Sequence, residues 1–216
     1  MSTLLLATRN PHKLKELRRA LRGLPMQVVT LADFPHLASV CEDGATFEVN
    51  AIKKAVVPSR RVSELVLAED SGLVVAALRG APGVRSARFS RARPGVDRDA
   101  ANNAKLLRLL RSVPPSRRQA AFVCVIAVAS RGHVLGVVRG ECRGAITMTP
   151  RGRTGFGYDP LFIPRGRRRT FAELGPRVKD RLSHRARALT KARPLIARAH
   201  RTHRAAARTP VPSRSG

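Results

Sequence analysis

Leu65-Val66-Leu67-Ala68-Glu69-Asp70-Ser71-Gly72-Leu73-Val74-Val75-Ala76-Ala77-Leu78 sets two adjacent carboxylates between two apolar runs, in a chain where acid is scarce. With 42 Lys and Arg against 14 Asp and Glu, acids placed anywhere would relieve self-repulsion, yet here they interrupt a hydrophobic stretch. Read as strand, acidic turn and strand, the segment puts Asp70 at the end of a buried strand. A partly desolvated carboxylate there requires a cation, and a hard divalent metal meets that need. The plain alternative is a polar hairpin turn, since Asp, Ser and Gly are common turn residues.

Before this stretch, Thr3 to Ala7 reads as a short buried strand. Asn10-Pro11 then starts a helix, with Asn as N-cap and Pro at the first helical position. Leu14, Leu17 and Leu21 supply its buried stripe, and Gly23 ends it. A strand followed at once by a capped helix that carries Lys13 and Lys15 suits a phosphate, because free N–H groups and the helix dipole face the anion. No glycine occurs in Thr8-x-Asn10-x-x-Lys13, so it is not a Walker A loop, and a plain strand–helix junction with solvated lysines is the alternative. Met26 to Leu31 suggests a second strand. A loop containing Glu42 and Asp43 leads to Thr46, an N-cap for a helix whose Phe47, Ala51 and Ala55 share one face. Asn50 and Lys54 flank that stripe, and Pro58 stops or kinks the helix.

Beyond the acidic pair, Gly80-Ala81-Pro82-Gly83 signals a tight turn before a basic loop from Arg85 to Arg93. Asp97 to Leu110 reads as a helix closed by Pro114-Pro115. Ala120 to Ala129 and Val134 to Val138, joined through Arg131-Gly132, form a hairpin that Cys142 to Met148 extends. Strands alternating with helices and then a hairpin imply an α/β fold with a mixed sheet. In Thr154-Gly155-Phe156-Gly157-Tyr158-Asp159-Pro160, two glycines present Phe156 outward beside a carboxylate, which suits stacking on a purine and accepting its N–H groups. The same loop also reads as a glycine-rich turn whose Phe caps the core. Thr170 to Leu174 is a short helical turn, Pro176 to Leu182 carries Lys179, and Ser183 caps a helix that opens with His184 and Arg185. From Arg181 onward there is no acid, and Arg201 to Gly216 reads as a basic, disordered tail after a domain spanning 1–200.

Over 216 residues, 43% apolar content supports one substantial globular core. No run reaches the length of a membrane span and no leader pattern opens the chain, so a cytoplasmic location and no membrane partner are expected. Three cysteines without CxxC spacing argue against a disulfide framework or zinc site. The formal charge of +28 favours an anionic partner, although Arg-rich codon usage alone produces such a bias. One Tyr and no Trp leave the basic stretches without the aromatic interleaving of a single-strand binder.

Five separated segments acquire a joint meaning from their order. They are Leu6-Ala7-Thr8-Arg9-Asn10-Pro11-His12-Lys13; Glu42 to Ala51 with Lys54-Ala55; Glu69 to Leu73 with Gly80 to Phe89; Gly155 to Phe162; and Lys179 with Ser183-His184-Arg185. Together the chain resembles the inosine triphosphate pyrophosphatase family over about residues 3–200. Those hydrolases convert non-standard purine nucleoside triphosphates (ITP, dITP, XTP) to the monophosphate and pyrophosphate. The resemblance implies an elongated central mixed β-sheet with flanking helices forming two lobes around a cleft, assembled as a homodimer. It implies that Thr8, Asn10 and Lys13, with Lys54 and Lys179, hold the triphosphate. Glu42 and Asp70 would hold Mg²⁺, Asp70 would also be the base for the attacking water, and Glu69 would stand behind the metal or touch it. Ser71 would touch substrate. Phe156 would stack on the base beside Gly157 and Tyr158, with Asp159, His184 and Arg185 reading its edge. A 6-oxo group accepts from His184 and Arg185, whereas the 6-amino group of adenine opposes donor to donor. Arg9 and His12 stand where the family often has small residues, Glu69 replaces a frequent Asp, Pro58 cuts a helix usually continued, and the Arg-rich tail has no counterpart. Two other readings are a septum-formation-inhibitor type of nucleotide pyrophosphatase with other base preference, and a basic nucleic-acid-binding protein on an enzyme scaffold. The latter suits the tail better than the core.

Overall fold

The computed structural model describes residues 3–91 and 95–208, with side chains through residue 202. Its elements are β1 (Thr3–Leu6), α1 (Pro11–Ala20), β2 (Gln27–Thr30), α2 (Phe47–Ser59), β3 (Leu65–Val75), α3 (Arg98–Leu109), β4 (Gln119–Ser130), β5 (His133–Ile146), β6 (Phe162–Pro164), α4 (Phe171–Leu174), α5 (Pro176–Leu182) and α6 (His184–Arg208). The strands form one sheet in the order β2-β1-β3-β4-β5-β6. β1 runs parallel to β2 and β3, and the remaining neighbours are antiparallel, so the sheet is mixed as expected.

The acidic turn does not form. Leu65–Val75 is one unbroken strand, paired with β4 from Val66 opposite Ala129 to Val75 opposite Ala120. Side chains alternate along it, which sends Glu69 and Asp70 to opposite faces. Both faces are covered. Phe47, Ala51 and Ala55 of α2 pack with Val66 and Ala68 on one, and Leu17 of α1 and Leu189, Ala192 and Ile196 of α6 pack with Leu65 and Leu67 on the other. A strand buried on both sides reads as a continuous apolar run. The two charges broke that run in the sequence and imitated a turn.

The strands also extend further than their sequence signals. β5 is a single strand through Ile146, and together with β4 and the far half of β3 it builds a second lobe around Leu73, Leu106, Phe122, Phe162 and Phe171. Between the lobes, β1 pairs with β3 only at Leu65 to Leu67. Among the described residues, no strand covers that edge of β3 again until the bridge between Val74 and Pro82. The edge carrying Glu69, Asp70 and Ser71 therefore faces a cleft.

α2 ends at Ser59, directly after Pro58, as the sequence requires. α6 behaves differently: it passes through Pro194 and continues to Arg208, into the stretch read as disordered. Ala188, Leu189, Ala192, Leu195, Ile196 and Ala199 are buried along it, and that packing outweighs the hydrogen bond lost at proline. The rest of the expected tail, 209–216, lies outside the described residues. Among the described residues, no helix is long and apolar enough to cross a membrane.

Candidate active site

The start of α1 is built as expected, with one refinement. Asn10 Oδ1 accepts the N–H groups of His12 at 3.0 Å and Lys13 at 3.1 Å, and Thr8 Oγ1 accepts that of Asn10 at 3.3 Å. The cap thus consumes two of the free N–H groups an anion would use. What remains for a phosphate is chiefly the Lys13 ammonium, which lies 3.1 Å from Glu69 Oε1.

Asp70 projects toward α2, where Asn50 Nδ2 donates to its Oδ2 at 3.1 Å. Asn50 Oδ1 also accepts the Gly44 N–H at 2.8 Å, so one amide ties the Glu42-bearing loop to the strand. Lys54 Nζ bridges the two carboxylates, 2.6 Å from Glu42 Oε1 and 3.8 Å from Asp70 Oδ1. Arg88, from a tight helical turn over Gly83–Arg88, holds the Glu42 carbonyl at 2.5 Å and stands 3.8 Å from its carboxylate. Burial pushes the Asp70 carboxyl up; Lys54, Lys13 and Asn50 offset only part of that, and the Glu42 charge adds to it. Burial also opposes ionisation of Glu42, but Lys54, with Lys13 and Arg88, outweighs it and holds that carboxyl below its ordinary value.

On the other face of β3, Glu69 is fully buried in a bidentate pair with Arg185, Nε to Oε2 at 2.6 Å and Nη2 to Oε1 at 2.9 Å. Burial works against its charge, yet Arg185 and Lys13 keep its carboxyl well below the usual range. Arg185 Nη1 donates in addition to Glu16, and Nη2 to Ser71 Oγ at 3.1 Å.

The base end is assembled from the loop before β6. Gly155 has φ +86°, and a Cβ there would lie 2.1 Å from Asp159 Oδ2, so only glycine fits. Asp159 Oδ2 accepts the Phe156 N–H at 3.0 Å and Lys179 Nζ at 2.5 Å. Lys179 Nζ also pairs with Glu16 at 3.0 Å and sits 4.3 Å over the Phe156 ring centroid. His12 stacks on the same ring, 5.0 Å between centroids and 17° between planes. His184 stacks on Phe122 at 4.8 Å, and its buried Nδ1 has no hydrogen-bond partner among the described residues. Burial, with Arg185 and Lys179 nearby, drives His184 well below its ordinary 6.5, so the ring is neutral at pH 7.

All the sequence-assigned residues except Thr8, Lys54 and Glu69 border one cavity of about 120 Å³. Thr8 shapes the turn beneath Asn10, and Lys54 lies behind Glu42 and Asp70. Two assignments are redirected. The Lys179 ammonium sits over Phe156, at the base end rather than among the groups assigned to the phosphates. Arg185 spends Nε and both terminal nitrogens on Glu69, Glu16 and Ser71, which makes it a scaffold of the cleft before it reads a base.

Several contributors went unread. Asp99 of α3 accepts the Gly157 N–H at 2.6 Å, and Asn103 donates to the Gly157 carbonyl at 3.0 Å. Asn102 holds the Ser86 carbonyl at 3.3 Å, to which the Tyr158 hydroxyl also donates at 2.9 Å. Glu16 lies three residues after Lys13 on one helix face, a spacing that was available in the sequence. The α3 contacts left no such local signal.

As a test of what the cleft can hold, among the described residues no group of three or more His, Cys, Asp or Glu side chains is placed to bind a metal. Glu42 and Asp70 both border the cavity, with the Lys54 ammonium between them. Asp70 is buried and under-compensated, and Glu42 repels it, which fits a hard cation that takes its remaining ligands from phosphate oxygens and water.

The sequence model of the Ham1 family matches residues 4–195. A Geobacter sulfurreducens protein named dITP/XTP pyrophosphatase is 50% identical over 189 residues, covering 88% of this chain and 94% of its own. One of the same name from Desulforamulus reducens is 48% identical over 196 residues, covering 90% and 96%. Among solved structures, a HAM1 protein from Coxiella burnetii aligns with a TM-score of 0.82 at 37% identity, over 92% of this chain and 100% of that one. These findings bear out the resemblance carried by the five sequence segments, and the chain belongs to the Ham1 family.

Proposed function

We propose that this chain hydrolyses the α–β anhydride of non-standard purine nucleoside triphosphates, dITP, ITP and XTP, to the monophosphate and pyrophosphate. The observation that carries the reading is that Glu42, Asp70 and Lys13 border the same cavity as Phe156, so a phosphate-handling end and a base-stacking end share one cleft. The names of the relatives favour the same reaction over a preference for other bases.

Glu42 and Asp70 would hold Mg²⁺, which when bound neutralises the phosphates and polarises the scissile anhydride. Asp70 would accept the proton of the attacking water, and Asn50 fixes its orientation. Lys13 exchanges Glu69 for a phosphate oxygen at little cost, because Arg185 continues to satisfy Glu69. Lys54, which bridges both carboxylates, would hold the triphosphate beside them. At the other end, Phe156 offers its ring to the purine, and the orphaned His184 Nδ1 gains a partner from the edge of the base. Assembly as a homodimer and a catalytic unit limited to residues 1–200 belong to the same proposal and rest on the resemblance.

A nucleotide panel tests the reaction. With Mg²⁺, dITP, ITP and XTP are expected to yield pyrophosphate, with ATP turned over at least about tenfold more slowly. Release of orthophosphate, or a preference for UTP or dTTP, would overturn the reading.

A further inference from the structure

We infer that the groove between β5, β6 and α6 binds the phosphate backbone of nucleic acid, at a surface separate from the catalytic cleft. Its cavity of about 780 Å³ is bordered by Arg139, Arg143, Arg165, Arg187 and Lys191, with Glu141 the one acid. A second groove of about 590 Å³ shares Arg143, Pro164 and Arg165 with it and adds Arg167, so the two form one trench.

The charges in it are unevenly used. Arg139 is paired with Glu48 at 2.7 Å and Glu141 at 2.9 Å. Arg143, Arg165 and Arg187 are exposed and make no ion pair among the described residues. Like charges gathered without counter-charge repel one another, and a polyanion laid along them relieves that repulsion while releasing its condensed counterions.

Geometry selects the class of anion. The basic residues come from β5 (Arg139, Arg143), the turn after β6 (Arg165, Arg167) and α6 (Arg187, Lys191) and are spread over two adjoining cavities, which suits a repeating chain of phosphates better than a single small anion. Among the described residues no aromatic side chain borders either groove, so base stacking is not offered and binding is independent of sequence. The floor of the second groove is apolar, with Val74, Ala121, Ala145 and Ile163, and accepts sugar edges without hydrogen-bond readout.

The position leaves catalysis unobstructed. The cleft opens on the edge of β3 that β1 leaves uncovered, whereas the first groove follows the outer edge of β5, which β6 pairs only from Gly144 to Ile146, and the second crosses the sheet to Val74 and Ala121. Neither groove shares a lining residue with the catalytic cavity.

The test is fluorescence anisotropy with a labelled mixed-sequence single strand of about 20 nucleotides across a salt series. The triple Arg143→Glu, Arg165→Glu, Arg187→Glu is compared with a control of equal charge change, Arg108→Glu, Arg111→Glu, Arg117→Glu, whose positions are also exposed. The trench triple is expected to bind at least about tenfold more weakly, with a log–log salt slope shallower by about 2, since each lost phosphate contact removes about 0.7. The control is expected to lose less than about threefold. Thermal melts verify that both fold, and the milder Arg→Gln triple replaces the trench variant if it does not. Equal losses in the two triples, or an affinity that stays constant as the strand is shortened to a mononucleotide, would overturn the inference.

Discussion

Phe156 shows how one side chain is given a task by its neighbours. Its N–H is held by Asp159, His12 stacks on its ring, and Lys179 lies over it, so the ring plane is fixed before any base arrives. Phe156→Ala is expected to remove stacking worth about 1–3 kcal/mol, raising KM for dITP about tenfold while kcat changes far less. Steady-state kinetics check it, and an unchanged KM would remove Phe156 from the base site. At this scale the sequence was legible wherever a local pattern carried the information. The Asn10 and Thr46 caps and the glycines around Phe156 follow from their own neighbours. The fates of Lys179 and Arg185 do not, because their partners Glu16 and Glu69 lie far away in the chain.

Among the elements, β3 organises the site, and its error in the sequence reading is instructive. Eleven residues buried on both faces need cations on both sides to hold two acids, and these come from α1, α2 and α6, which no local pattern connects to β3. Gly72 shows how closely the Gly83–Arg88 turn presses on this strand: a Cβ there would stand 2.4 Å from Ser86 Oγ and 2.5 Å from the Gly83 carbonyl. Gly72→Ala is expected to cost about 1–3 kcal/mol and lower Tm by about 3–10 °C. It should also weaken activity, because the displaced turn carries Arg88 away from Glu42. A melting curve with the wild-type Tm would contradict that contact. The reach of α6 past Pro194 was likewise hidden, since the buried alanines and leucines that sustain it matter only against the sheet.

For the whole molecule, the buried charges predict a specific response to acid. His184 is held below its ordinary 6.5, so the unfolded chain binds a proton that the folded one refuses as pH falls beneath 6.5. Glu69 and Glu16 are held below their ordinary 4.5, and the unfolded chain again takes up protons first. Both effects make stability rise with pH in their windows. Tm is therefore expected to fall as pH drops from about 6.5, and to fall again below about 4.5. Asp159 and Asp70, both raised by burial above their ordinary 3.8, work in the opposite sense. In His184→Gln the upper segment should flatten while the lower one remains. A Tm that is level from pH 7 to 5 would show that His184 is not buried neutral.

The central claim is that Asp70 acts on the water while the rest of the cleft binds the nucleotide. Single-turnover hydrolysis of dITP by Asp70→Asn, measured beside its dITP affinity in the presence of Mg²⁺, separates those roles most directly. The account predicts a rate lower by about 10²–10⁴-fold with dITP still bound. Hydrolysis by Asp70→Asn at a rate near that of the wild type would contradict it.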